Sequence, residues 1–209
     1  MSSPQVSADS NAWFDHAFSA APLMLILRGL GVERSVELSE RAWDLGIDMV
    51  EIPLQSDTDA EALRTLAPRA AERGLCVGAG TILDPEGVRL AAECGAAFTV
   101  APGTSREVLE ASVDLGIPHL PGVATVTEIH AALRHGVRWV KGFPAARLGA
   151  SWFRDMRGPF PEVRFVATGG MSAHNAAEFL DAGVSVVAVG SAIEDEAQIP
   201  ALAELLAGR

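Results

Sequence analysis

Lys141 is the only lysine of this 209-residue chain, and it sits in the apolar run Trp139-Val140-Lys141-Gly142-Phe143-Pro144, whereas the other strongly basic side chains are all arginine. An ammonium in a buried strand is costly, because desolvation disfavours the charged form and leaves a neutral, nucleophilic amine able to form a Schiff base with a ketone. A strand-end lysine can also simply snorkel its head group into water. A second inward candidate is Glu51, in the run Met49-Val50-Glu51-Ile52-Pro53. A carboxylate pointing into an apolar interior must be paired or take up a proton, and a group that exchanges a proton there suits acid–base shuttling. The alternative is a structural ion pair, with Arg28 as the partner.

Positioning these residues is the work of a repeated unit. Short glycine signals recur as Leu45-Gly46-Ile47, Arg73-Gly74-Leu75, Cys94-Gly95-Ala96, Leu115-Gly116-Ile117, His135-Gly136-Val137 and Ala182-Gly183-Val184. Each ends a helical pattern and opens an apolar strand, as a left-handed residue just past a helix C-terminus does. The spacing, with one missed beat near Arg157-Gly158-Pro159, is that of a βα unit repeated along the chain. Strands are expected at 23–28, 48–54, 76–81, 98–102, 119–123, 139–144, 164–169 and 186–191. An extra N-terminal helix is expected at 11–19 and a last outer helix at 196–208, with residues 1–10 flexible. Asp84-Pro85 and Thr125-Val126-Thr127-Glu128 supply helix starts.

Eight parallel strands point to a single-domain (β/α)8 TIM barrel over residues 1–209. A doubly wound open sheet is the rival, but Gly78-Ala79-Gly80-Thr81 lacks the last glycine of the dinucleotide fingerprint. In such barrels chemistry sits at the C-terminal strand ends. Those ends carry Arg28, Glu51, Thr81, Lys141 and the glycines after strands seven and eight. Alternation puts Lys141 on one face with Trp139 and Phe143, and Glu51 with Met49 and Pro53. Both lie on even strands, so they can meet near the barrel axis. Thr168-Gly169-Gly170 and Gly190-Ser191 fall where barrels of this kind bind phosphate on backbone N–H groups.

Composition bounds the partners. A net charge of -11 argues against a general nucleic-acid or membrane-surface binder. No apolar run is long enough for a membrane helix, and the polar start does not resemble a signal peptide, so a cytoplasmic protein is expected. Cys76 and Cys94 read as small core residues. No metal-ligand spacing occurs, and no GxSxG elbow. The acidic run Glu194-Asp195-Glu196 reads as a solvated helix start.

At these residues the chain resembles the bacterial class I aldolases that cleave 2-keto-3-deoxy-6-phosphogluconate and its galactonate epimer. The resemblance spans residues 22 to about 193. It is carried by Ile26-Leu27-Arg28-Gly29, Glu51-Ile52-Pro53-Leu54-Gln55-Ser56, Gly78-Ala79-Gly80-Thr81, Ala101-Pro102-Gly103, Pro121-Gly122, Lys141-Gly142-Phe143-Pro144, Thr168-Gly169-Gly170 and Gly190-Ser191. It implies a homotrimer of barrels that uses no metal or organic cofactor. It also implies Lys141 as the Schiff-base residue and Glu51 as proton shuttle. Arg28 and Thr81 would then hold the pyruvate carboxylate, Phe143 would pack on the pyruvyl group, and Gly169, Gly170, Gly190 and Ser191 would take the distal phosphate. Products would be pyruvate and glyceraldehyde 3-phosphate.

Two departures stand out: Gln55 replaces the arginine of the gluconate type, and Gly142 replaces a larger residue. The first, with an arginine in strand one, matches the galactonate type, whereas Thr168-Gly169-Gly170 and Ala101-Pro102-Gly103 look more like the gluconate type; taken together the resemblance implies the galactonate type or a relaxed substrate range. Other readings are a pyruvate aldolase acting on an unphosphorylated acid such as 4-hydroxy-2-oxoglutarate, a phosphosugar isomerase or epimerase, and a non-catalytic phosphate-ligand binder.

Overall fold

The structure is a computed structural model that describes residues 8–207, apart from the side chains of Ala8, Asp9 and Ser191. Its frame is a parallel ring of short strands: β1 (Leu23–Ile26), β2 (Met49–Pro53), β3 (Cys76–Gly80), β4 (Thr99–Val100), β5 (His119–Leu120), β6 (Gly122–Val123), β7 (Trp139–Gly142), β8 (Arg164–Thr168) and β9 (Val186–Val189). They run in the order β5-β4-β3-β2-β1-β9-β8-β7-β6. The two ends of that order, β5 and β6, are separated in the chain only by Pro121, so the ring is nearly closed. Proline has no N–H to give the ladder, which interrupts the strand there. Its carbonyl still accepts from Lys141 N at 2.8 Å. The expected strand 119–123 is therefore two segments, and several other strands stop short of their expected ends; after β3 and β8 the next residue, Thr81 or Gly169, already has a positive φ.

Ten helices flank the ring among the described residues: α1 (Ala8–Ala17), α2 (Gly31–Asp44), α3 (Asp57–Glu72), α4 (Pro85–Glu93), α5 (Arg106–Leu115), α6 (Val126–Arg134), α7 (Ala145–Leu148), α8 (Ala150–Met156), α9 (Ala173–Asp181) and α10 (Ile199–Ala207). α1 starts three residues earlier than the sequence suggests, so residues 8–10 are helical; residues 1–7, the rest of the flexible lead, lie outside the described residues. The last helix is preceded by a 3-10 turn at Glu196–Gln198. The glycine signals do what their position requires: Gly46, Gly74, Gly95, Gly116, Gly136 and Gly183 all have φ between 65° and 92°. Asp84 accepts from Gly87 N at 2.8 Å to start α4, and Thr125 with Glu128 forms the capping box of α6.

Strand alternation splits the core in two. Leu23, Leu25, Val50, Ile52, Val77 and Val140 face outward onto helix residues such as Leu38, Leu63 and Phe179. Met24, Met49, Phe98, Val100, Leu120, Trp139, Val166 and Val186 face inward and join Phe14 and Phe18 of α1. The helix closes the N-terminal end of the ring. Asn11 clamps it by donating to Gly136 O at 2.7 Å and accepting from Arg138 N at 2.9 Å, while Asp15 accepts from Trp139 Nε1 at 2.9 Å. Filling by α1 stops one inward layer below Lys141 and Glu51.

Candidate active site

Glu51 lies in register between Ile26 of β1 and Gly78 of β3, and Lys141 between Gly122 of β6 and Val166 of β8. With β5 and β6 counted as one position, β2 and β7 stand opposite each other in the ring. Both side chains point inward, and Lys141 Nζ lies 3.7 Å from Glu51 Oε1, with relative exposures of 3% and 0%. The pair is buried, so the snorkelling alternative falls away. Neither oxygen of Glu51 accepts a hydrogen bond from the described protein groups. A carboxylate so placed is expensive for stability, and the 3.7 Å separation leaves it close enough to exchange protons with whatever Lys141 carries.

Two glycines make this geometry possible for reasons not readable from local pattern. A Cβ on Gly80 would overlap the Glu51 carboxylate, and one on Gly142 would overlap the Phe153 ring. The small residue after the lysine is thus matched to an aromatic of α8. Phe143 follows, and its ring centre lies 5.5 Å from Lys141 Nζ.

At the C-terminal ends of β1, β8 and β9 opens a cleft of about 570 Å³ lined by Arg28, Phe143, Thr168, Gly169, Gly170, Gly190 and Glu194, while Lys141 and Glu51 lie behind its lining. Arg28 does not pair with Glu51, contrary to the structural alternative drawn from the sequence. Its Nη1 donates to Gln55 Oε1 at 2.5 Å. Gln55 in turn is held where its backbone N–H donates to Asp59 Oδ2 at 3.1 Å, within the N-terminal turn of α3 that Ser56 caps. The amide at position 55 therefore orients a guanidinium without neutralising it.

Thr81, at the end of β3, does not line this cleft. Its φ of 59° is a left-handed conformation that a β-branched residue rarely adopts, and such strain concentrates at ligand-handling positions. Gly169 and Gly170 have φ of 95° and 75°, and a Cβ on Gly169 would come within 3.0 Å of Phe143. Their turn is fixed by Ala146 N donating to Gly169 O at 3.0 Å and by Asn175 Nδ2 donating to Gly170 O at 3.0 Å, which leads into α9. Ser191 opens a 3-10 turn, Ser191–Ile193, but its side chain lies outside the described portion.

Two polar lining residues were given no role of their own by the sequence, Thr168 being read only as part of the Thr168-Gly169-Gly170 turn. Thr168 is buried, 4% exposed, with a hydroxyl that has no protein partner. It lies on the inward face of β8, a position the period-2 pattern could have flagged. Glu194 was grouped with a solvated helix start. Asp195 does cap the following turn by accepting from Ala197 N at 3.0 Å, but Glu194 lines the cleft. Among the described residues no three His, Cys, Asp or Glu side chains gather as a metal site.

Residues 14–204 match the family model described as "KDPG and KHG aldolase". The chain is 38% identical to a 2-dehydro-3-deoxy-phosphogluconate aldolase of Pseudomonas aeruginosa, over 79% of this chain and 76% of that protein. It is 33% identical to a 2-dehydro-3-deoxy-6-phosphogalactonate aldolase of Escherichia coli, over 81% and 83%. A crystal structure of a KDPG aldolase from Legionella pneumophila, with pyruvate captured at low pH as a covalent carbinolamine intermediate, is similar at a TM-score of 0.79 and 32% identity. The likeness covers 92% of this chain and 95% of that one.

Proposed function

This chain belongs to the KDPG and KHG aldolase family, and on that premise we propose that it is a class I aldolase cleaving a 2-keto-3-deoxy-6-phospho sugar acid to pyruvate and glyceraldehyde 3-phosphate. The observation that carries the reading is the buried Lys141–Glu51 pair facing each other at 3.7 Å, with Phe143, two residues on from Lys141, in the wall of the neighbouring cleft.

Each step draws on a residue placed for it. The unprotonated amine of Lys141 attacks the C2 ketone, and Glu51 transfers protons as the carbinolamine forms and loses water to give the iminium. The C3–C4 bond then breaks. Its electron pair flows into the iminium to give an enamine, while the C4 hydroxyl loses its proton and the aldehyde departs. Protonation of the enamine at C3 and hydrolysis release pyruvate and free Lys141. Arg28, oriented by Gln55, holds the substrate carboxylate with Thr81, and Phe143 covers the pyruvyl group. The unpartnered Thr168 hydroxyl serves a substrate hydroxyl, and the N–H groups of Gly169, Gly170, Gly190 and Ser191 take the distal phosphate. Because Gln55 leaves a single arginine at the carboxylate end, the substrate range is that of the galactonate type or is relaxed between epimers.

The wider reading is a single (β/α)8 domain, with β5 and β6 counted as one strand interrupted by Pro121, assembling as a cytoplasmic homotrimer. Free thiols at Cys76 and Cys94, both pushed up by burial and so slow to react, fit a reducing compartment. No described helix is long and apolar enough to cross a membrane.

The test is peptide mapping after mixing the protein with pyruvate and borohydride, which reduces an iminium to a stable secondary amine. One pyruvate is expected on the peptide holding Lys141, and none in Lys141→Arg. An unmodified Lys141 in folded protein would remove the Schiff-base mechanism and favour an isomerase or a binding protein.

A further inference from the structure

Glu194 occupies the wall of the cleft that also carries Gly169, Gly170 and Gly190. Its cationic partner among the described residues is Arg34 of α2, whose Nη2 lies 3.5 Å from Glu194 Oε2. That guanidinium is held more closely by Glu37, 2.8 Å from Nη1. One arginine thus serves two carboxylates, and the trio carries one net negative charge (−1 −1 +1). At the end of the neighbouring strand β1, Arg28 turns toward β2 and meets only the neutral amide of Gln55, so it keeps its positive charge. The cleft therefore carries an unmatched positive charge on its Gln55 side, where the substrate carboxylate would bind, and a carboxylate beside the glycines, where the distal group would arrive.

From this arrangement of charge, and resting on the aldolase reading above, we propose that Glu194, partly masked by Arg34, sets how strongly the enzyme favours a phosphorylated 2-keto-3-deoxy acid over its unphosphorylated counterpart. A phosphate dianion on the glycine N–H groups stands beside a carboxylate and is repelled, whereas a terminal hydroxyl is not. Glu194 is a specificity residue that makes no bond to reacting atoms, and Arg34 acts through it as a positioning residue. The same arrangement orients the substrate, since its carboxylate is drawn toward Arg28 and away from Glu194.

The experiment compares kcat/KM for a 6-phosphorylated 2-keto-3-deoxy sugar acid and for the same acid without phosphate, in the wild-type protein, Glu194→Gln and Arg34→Met. The ratio of the two values cancels any loss common to both substrates. Replacing a unit charge near a dianion should raise the ratio about five- to tenfold in Glu194→Gln, through a lower KM for the phosphorylated acid; exposing Glu194 in Arg34→Met should lower it about threefold. Both changes should shrink in high salt, as expected for half-exposed charges. A ratio in active Glu194→Gln that stays within about twofold of wild type, or falls, would overturn the role of Glu194 alone. If wild-type protein cleaves neither acid and pyruvate leaves Lys141 unmodified, the aldolase reading falls and this proposal falls with it.

Discussion

Along β7 the two ends of the barrel meet in three residues. Trp139 points into the N-terminal end, packed on Phe18 at 5.0 Å between ring centres and bonded through its indole N–H to Asp15. Lys141, the next inward residue, points into the other end and meets Glu51, which has no hydrogen bond from the described protein groups. One end spends its inward positions on aromatic packing that stabilises the fold; the other holds a buried ion pair that stabilises it little or not at all. The division follows from the ring itself. Side chains alternate in layers, and α1 fills the layers at one end while at the other a cleft opens at the C-terminal ends of β1, β8 and β9. A site that must admit substrate leaves its polar groups incompletely satisfied, and the filled end offsets that cost.

The sharpest way to break this comparison is to remove the pair. Lys141→Met should lower kcat/KM by at least about a thousandfold, since the covalent route is gone. It should also cost about 3–5 kcal/mol in urea unfolding, because an uncompensated carboxylate is left in the interior. The double variant Lys141→Met/Glu51→Gln removes both charges and should recover most of that stability while remaining inactive. Recovery would establish that the catalytic end is a stability cost carried by the rest of the fold. A double variant as unstable as the single one would show instead that the pair is a structural element.

At the filled end the effects should be reversed in kind. Phe14 is 1% exposed and packs on Trp13, Phe18, Phe98 and Trp139. Phe14→Ala should cost about 3–5 kcal/mol by urea titration. The pyruvate adduct on Lys141, and kcat in protein that is still folded, should change little. A fall in kcat beyond about tenfold would mean that the plug also orients Lys141, and the two ends would no longer be separable.

How much of this division is legible in the sequence depends on the range of the interactions behind each feature. The glycine caps are legible because a left-handed residue at a helix end is a local demand on residue type. The meeting of Lys141 and Glu51 is legible because a period of two and a parity rule for barrel layers place both on one axis. The partner of Arg28 is not, because a long exposed side chain reaches across several positions, and only the turn held by Asp59 decides that it meets Gln55. Gly80 and Gly142 look like ordinary small residues until Glu51 and Phe153 are seen against them. Glu194 reads as part of a solvated acidic run because the fold of the loop after β9, and not its composition, turns one carboxylate of three into the cleft. The break at Pro121 is written in the residue type, but an apolar run of five hides it.

The smallest effect tests how dry the flank of the filled end is, where His119 on the outer face of β5 meets α5 and α1. His119 of β5 is 2% exposed, shares a hydrogen bond of 2.9 Å between its Nδ1 and Thr99 Oγ1, and has no partner at Nε2. Burial lowers its pKa from the ordinary 6.5 to about 3, so it stays neutral in the folded protein. The unfolded chain binds a proton below 6.5 and the folded one does not until about 3, so stability is full above pH 6.5 and is lost as pH falls through that window. Between pH 7 and pH 5 this one group should remove about 2 kcal/mol from the unfolding free energy. Carboxylates add their own slope, so the measurement is the difference between wild type and His119→Asn, each titrated with urea at both pH values. The variant should lack that drop of about 2 kcal/mol and keep only the slope that the carboxylates give both proteins. An equal drop in both proteins would mean that water reaches His119 through the cavity it lines with Ser10, Trp13 and Ser112, so that the filled end is sealed inside the ring but not along this flank.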